Sequence, residues 1–341
     1  MVDSPQSPQD AGSRKARAYW REHVAEFETP SWSKAMVDLA LSLGAYIVCM
    51  VTMYLLVGEH PWIVAVLTLP TAGFLLRTFI VFHDCGHGSF VPSARGNLWI
   101  GRLTALMVWQ PYGNWRHNHA VHHGTAGDLD RRGQGDVETI TVAEYQARSW
   151  KGRLAYRLFR NPLVMFGIGP IWSLMIGPRI WSKNQRPRMR HSVWLTNLAL
   201  LVVIGAIFWF VGPLAWLLVQ MPVAILAGMA GVFLFYVQHQ FEDVYWESSE
   251  TWNYADAALQ GSSYLKLPKI LQYFSGNIGL HHVHHLSAKI PNYNLQRAHD
   301  ENLIFHDVPV LSIRDGLRSI RLKVIDSSSG RMLTWREVRA L

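Results

Sequence analysis

The sequence predicts an all-α integral membrane protein: four transmembrane helices with a cytoplasmic helical cap that holds a histidine-rich di-metal centre. Three observations predict it. Four apolar runs approach the ~20 residues needed to cross a bilayer. Lysine and arginine crowd the segments outside each pair of runs and are missing from the links within them. Three histidine clusters, far apart in sequence, each carry the spacing of one helix face.

Composition agrees. Half of the 341 residues are hydrophobic and 16% are charged, against about a quarter charged in a typical soluble domain. The net charge is +8. Nucleic-acid binding would call for a basic, polar domain. Here the cations flank apolar runs, so membrane lipids are the expected partner and nucleic acid is not. Cys49 lies in an apolar run and Cys85 inside a histidine cluster, so neither belongs to a disulfide framework.

In chain order, residues 1–30 form a polar segment with no cleavable signal pattern, disordered over 1–12. The membrane domain covers 31–300. Its first span is Leu39–Val57. The second is Trp62–Phe82, with Pro70 inside and Arg77 near one end, where it can snorkel. The third is Val193–Phe210 and the fourth Leu214–Val237, kinked at Pro222. Short links join them in pairs, Gly58-Glu59-His60-Pro61 and Val211-Gly212-Pro213, and neither carries Lys or Arg. Arg14, Lys15, Arg17, Arg21 and Lys34 precede the first span, and Arg95, Arg102, Arg116, Arg131, Arg132, Arg148 and Lys151 lie in the middle segment. The positive-inside rule then puts both termini and the middle segment in the cytoplasm. Trp62, Trp209 and Trp216 flank the outer turns as an aromatic belt. Leu98–Val108 and Leu163–Ile176 are too short to span and are expected to lie in or dip into the inner interface. Residues 301–341 form a basic cytoplasmic tail.

The clusters read His83-Asp-Cys-Gly-His87, His119-Ala-Val-His122-His123 and His281-His282-Val-His284-His285. Residues three or four apart share a helix face. Thus His83 pairs with His87, His119 with His122 and His123, and His281 with His284 and His285. Neutral imidazole suits iron, zinc, copper or nickel. Eight ligands are too many for one ion and about right for two. All eight reach one side of the membrane, and His239 emerges there as a ninth candidate. His117 and His282 break the helical register and are read as outer partners of the ligands. A metal-bound imidazole usually donates its other N–H to a carboxylate or carbonyl. Asp84, Asp128 and Glu242 are candidates for that contact, with Asp130, Asp136 and Asp243 also available.

The three boxes, His-x3-His, His-x2-His-His and His-x2-His-His, resemble those of the membrane fatty acid desaturase family. The likeness extends to Gly127-Asp-Leu-Asp-Arg-Arg-Gly133, Tyr236-Val-Gln-His-Gln-Phe-Glu-Asp243, and 267–279 running on to Ile290-Pro-Asn-Tyr-Asn294. It covers roughly residues 30–310 and is similar to bacterial acyl-lipid desaturases of the delta-5 and delta-12 kind. The resemblance implies two iron ions held by the box histidines and His239. It implies O2 as co-substrate and removal of two hydrogens from a membrane-lipid acyl chain, leaving a cis double bond. It implies a bacterial inner-membrane location and a separate electron donor, by analogy a ferredoxin, because no haem-binding His-Pro-Gly-Gly motif is present. Arg131, Arg132, Arg314, Arg318, Arg321 and Lys323 are candidates for attracting an acidic donor or, equally, anionic lipid headgroups. Phe74, Phe79, Phe233 and Phe235 are candidates for lining an acyl groove. Two other classes use similar features: a lipid, alkane or carotenoid hydroxylase on the same scaffold, and a metal transporter. A transporter needs polar ligands near mid-membrane, and these spans have few.

Overall fold

The computed structural model describes residues 20–133 and 135–341. The disorder expected over 1–12 lies outside them. Four helices are long and apolar enough to cross a membrane: Trp32–Leu56, Pro61–His87, Pro187–Val211 and Pro213–His239. The last three contain the corresponding expected runs, the first covers all of its run but Val57, and each is longer, mostly toward the histidine end. Proline stands in the first turn of the last three, where its missing N–H costs no hydrogen bond and its fixed φ suits a helix start. The first span passes through a π-helical turn at Ala40–Gly44. The second stops one residue after His87, because Gly88 takes the left-handed conformation (φ 76°) that closes a helix.

The second and fourth spans are the more enclosed pair. They pack on each other and on the first span through Leu75, Val81, Val219, Val223 and Met53, all buried. Both links sit at the far end of this bundle, so the C-terminal ends of the second and fourth spans emerge together. His83, His87 and His239 ride on those ends.

Between the pairs, Ala94–Met107 packs along the second span, and Tyr112–Thr125 returns. Gly101 permits this: a Cβ there would lie 2.3 Å from the Tyr112 ring and 3.0 Å from Cys85. The Tyr112 hydroxyl donates to the Cys85 carbonyl at 2.7 Å. Asn97, buried, accepts from the Phe90 and Val91 amides and donates to the Val91 carbonyl, fixing the turn after His87. The apolar segment expected at Leu163–Ile176 is the helix Leu163–Arg179. It seats on the fourth span where Gly228 leaves room for Leu174 and Pro170.

The chain is mostly helical rather than all-α. Tyr264–Leu265 pairs in parallel with Val310–Leu311, and Leu322–Asp326 forms an antiparallel hairpin with Arg331–Thr334. The hairpin turn is held by Asp326, whose carboxylate accepts from Ser328 and Ser329, and by Gly330 at φ 70°. Residues 301–341 therefore fold back as structure. Val324 and Val338 are buried against Ile140, Tyr145 and Tyr156 of the middle segment. The Ile325 amide donates to the Ile140 carbonyl, and the Met332 amide to that of Glu242.

Candidate metal centre

Four stretches of chain carry the histidines to one place. The last turns of the second span present His83 and His87. The helix Tyr112–Thr125 presents His119, His122 and His123. The fourth span ends at His239. A short helix, His281–Leu286, supplies the rest. It is launched by a reversal at Gly276 (φ 54°) and Asn277 (φ 61°), where the Asn277 side-chain Nδ2 donates to the Asn292 carbonyl.

The nine rings form two groups, within each of which the nearest nitrogens lie within 4.8 Å of one another. His83, His87, His119, His123 and His284 make one. His122, His239, His281 and His285 make the other. The groups adjoin, since the His123 and His285 rings stack at 4.2 Å. Several Nε2 atoms face each other directly: His123 and His284 at 3.0 Å, His119 and His123 at 3.2 Å, His239 and His281 at 2.9 Å.

Outer contacts set the tautomers. His83 Nδ1 donates to Asp84 at 3.0 Å, His122 Nδ1 donates to Asp136, and His239 Nδ1 donates to the Gly261 carbonyl at 3.1 Å. With Nδ1 carrying the proton, each Nε2 turns a lone pair inward. Asp84 is itself held by Asn292, whose amide and side chain both donate to Oδ2. Burial, reinforced by repulsion from neighbouring imidazoles, holds His119, His123, His281, His284 and His285 well below the ordinary histidine range. These five are neutral at pH 7. Buried nitrogens of His87, His122, His123, His281, His284 and His285 have no hydrogen-bond partner. Unpaired polar atoms in such density are costly unless something else satisfies them. Neutral, inward-facing imidazoles in each group are a donor set that fits a borderline metal ion, iron, zinc, copper or nickel.

Of the expected outer partners, Asp84 reaches the rings and the four others do not. Asp128, fully buried, accepts from Arg131 (2.5 Å) and Ser249 (2.8 Å), so it braces the loop after the second box. Glu242 pairs with Arg331 on the hairpin. His282 turns away from the centre to His299, 3.1 Å distant, and burial lowers it to about 3. His117 precedes His119 by two residues, about 200° around the helix, and takes part in neither group. Asp136, one of the six carboxylates available in the sequence with no spacing signal to single it out, makes the contact to His122. Sequence reasoning missed Trp115, which stacks on His119 at 4.4 Å. Of the four phenylalanines, Phe235 lies against His122 and His239 and Phe79 against Trp115. Phe74 and Phe233 pack on Phe274 and Phe166 instead.

Four helices apolar enough to cross a membrane carry at one end nine imidazoles in two groups that could each hold a metal ion, which defines a candidate membrane metalloprotein. The fatty acid desaturase family model matches residues 60–311. A fatty acid desaturase of Bacillus subtilis is 41% identical over 318 residues, 93% of this chain and 90% of the relative. The chain belongs to the fatty acid desaturase family. Two Synechocystis proteins are also similar. An sn-1 oleoyl-lipid 12-desaturase is 28% identical over 78% of this chain and 75% of its own length. An sn-1 acyl-lipid omega-3 desaturase (ferredoxin) is 29% identical over 64% and 62%.

Proposed function

We propose that the protein is an acyl-lipid desaturase that uses O2 and two electrons to place a cis double bond in a membrane-lipid acyl chain. The observation that carries this reading is the position of nine imidazoles, in two adjoining groups, at the end of an apolar bundle. An acyl C–H offers no charge for acid–base chemistry. Two iron ions, one per histidine group, would supply the oxidising power. In balance, O2 takes two electrons from the broken C–H bonds and two from the donor, and leaves as water.

The chain's own residues have separate tasks. His83, His87, His119, His123 and His284 would hold one ion, and His122, His239, His281 and His285 the other. Asp84, Asp136 and the Gly261 carbonyl orient rings through their Nδ1 protons. Trp115 and Phe235 cover rings and exclude water. For electrons, the ferredoxin in the name of one relative supports an acidic donor protein. Arg314 and Arg321 are exposed and suit such a partner, while Arg318, also exposed, pairs with Asp315 at 3.4 Å. Arg131 and Arg132 are tied to Asp128 and Glu144, and Lys323 is buried, so it does not face a donor. The cation-free links support a bacterial inner-membrane orientation with the centre and both termini cytoplasmic.

Expression in a bacterial host with a ferredoxin system, followed by mass spectrometry of its fatty acids, tests the reading. Wild type should yield a new cis-unsaturated acid, and His284→Ala none. A hydroxy acid without a new alkene would overturn desaturation.

A further inference from the structure

One cluster of buried polar groups outside the histidine centre is left open. The helix Leu163–Arg179 ends against the turn that joins Ala94–Met107 to Tyr112–Thr125. There, Arg179 Nη2 donates to the Trp109 carbonyl. Arg179 Nε and Nη1 are buried and have no partner. Among the described residues no carboxylate pairs with it, and burial lowers the guanidinium to about 10. Asn197 of the third span donates to the Arg179 carbonyl at 3.0 Å, while its own Oδ1 is buried and unpaired. The buried Nε2 of Gln110 is open as well. Trp109 takes a left-handed φ of 55°, a conformation a bulky side chain adopts only under constraint.

Depth can be counted from the far links. Asn197 lies about 21 Å of helix rise from the end of its span, and Arg77 about 24 Å from the start of its own. Both are near the histidine-side edge of a ~30 Å hydrocarbon layer. Arg77 is neutralised by Asp38. Arg179 at the same height is not. The rings of Trp181 and Trp194 pack 4.4 Å apart beside it, on residues flanking Arg179 and Asn197 in the chain, as residues of the interfacial belt do.

We propose that Arg179 and Asn197, with Gln110 next to Trp109 in the chain, bind the headgroup of a phospholipid, the polar end of the acyl-lipid substrate. This rests on the acyl-lipid reading above and names the lipid class. Phosphate oxygens accept from the open guanidinium and amide donors. The Asn197 oxygen accepts from a headgroup hydroxyl or ammonium. A phosphodiester has no O–H of its own, so within a lipid the unpaired Asn197 acceptor calls for a headgroup that also carries a hydroxyl or ammonium donor.

The test uses full-length protein in detergent and native mass spectrometry to read retained lipid. The probes are phosphatidylglycerol, diacylglycerol with the same chains, and inorganic phosphate. Wild type should retain phosphatidylglycerol about tenfold over diacylglycerol, the scale of one charge-assisted hydrogen bond. Arg179→Gln should lose that preference, and Arg179→Lys should keep part of it. Equal retention of the two lipids by wild type overturns the proposal. So does an unchanged preference in Arg179→Gln, or displacement of phosphatidylglycerol by millimolar phosphate, which marks a free-anion site. If Arg179→Gln does not fold, Asn197→Ala and the wild-type lipid comparison decide. Desaturation in cells is a separate readout. Product without headgroup preference removes only this site, whereas absence of product removes the reaction.

Discussion

His123 stands where the two histidine groups meet. Its Nε2 faces those of His119 and His284, and its ring stacks on His285 of the other group. Replacing it by alanine should disturb both groups. His123→Ala is expected to purify with less iron than His87→Ala, and both with less than wild type, by elemental analysis of membrane-inserted protein. His306→Ala changes an exposed side chain and should leave iron and product unaltered. Asp136 bears on His122 through a single hydrogen bond. Asp136→Asn keeps its shape and loses the charge, so iron affinity should fall about 10- to 100-fold, as for other partners of metal-bound histidines. Undiminished iron binding in Asp136→Asn would show that the contact does not tune the site.

At the scale of elements, the C-terminal hairpin and the middle segment are joined by buried cations. Arg160, fully buried, donates to Gln240 and Thr139 and to the carbonyls of Glu138 and Leu322. Beside it, Lys323 Nζ donates to the Arg160 carbonyl. Burial and the neighbouring guanidinium lower Lys323 to about 8. Between pH 8 and its ordinary value near 10.4 the unfolded chain holds a proton there that the folded chain has released, so folding strengthens as pH rises. Removing the amine removes that dependence. The thermal midpoint of wild type minus that of Lys323→Met should climb from pH 8 to 10. A flat difference would mean that the amine is not desolvated. Packing of the second box is equally testable. A Cβ on Gly86 would lie 2.8 Å from the Trp115 ring that stacks on His119. Gly86→Ala should therefore lower product and iron, less severely than His119→Ala.

For the whole molecule, orientation is the open physical variable. With Cys49 and Cys85 replaced by alanine, a cysteine at Glu59 should react with an impermeant maleimide on intact cells. One at Ser328 should react only after permeabilisation. The reverse pattern would invert the topology.

Much of this was legible in the sequence because the signals are strong and local. Eighteen or more apolar residues leave few alternatives to a long helix, and His-x2-His-His constrains a helix face wherever it occurs. What was not legible depends on contacts between distant segments. Asp128 and Asp136 look alike in the chain. One braces a loop against Ser249, and the other reaches His122, with the chain just after it held by Arg160 at Glu138 and Thr139. His282 shares its box with three inward-facing rings, yet its position on a six-residue helix turns it to His299. The strands are two to five residues long, too short to show an alternating pattern.

The two far-side links have a practical consequence. Among the described residues, the chain offers beyond the bilayer on that side only a few residues around Glu59 and Gly212. A protease added there should find nothing to cut, while one admitted to the opposite compartment meets every loop. Antibodies, affinity tags and crosslinkers face the same one-sided object, and any soluble protein that regulates or feeds it must approach from the side where the histidines are.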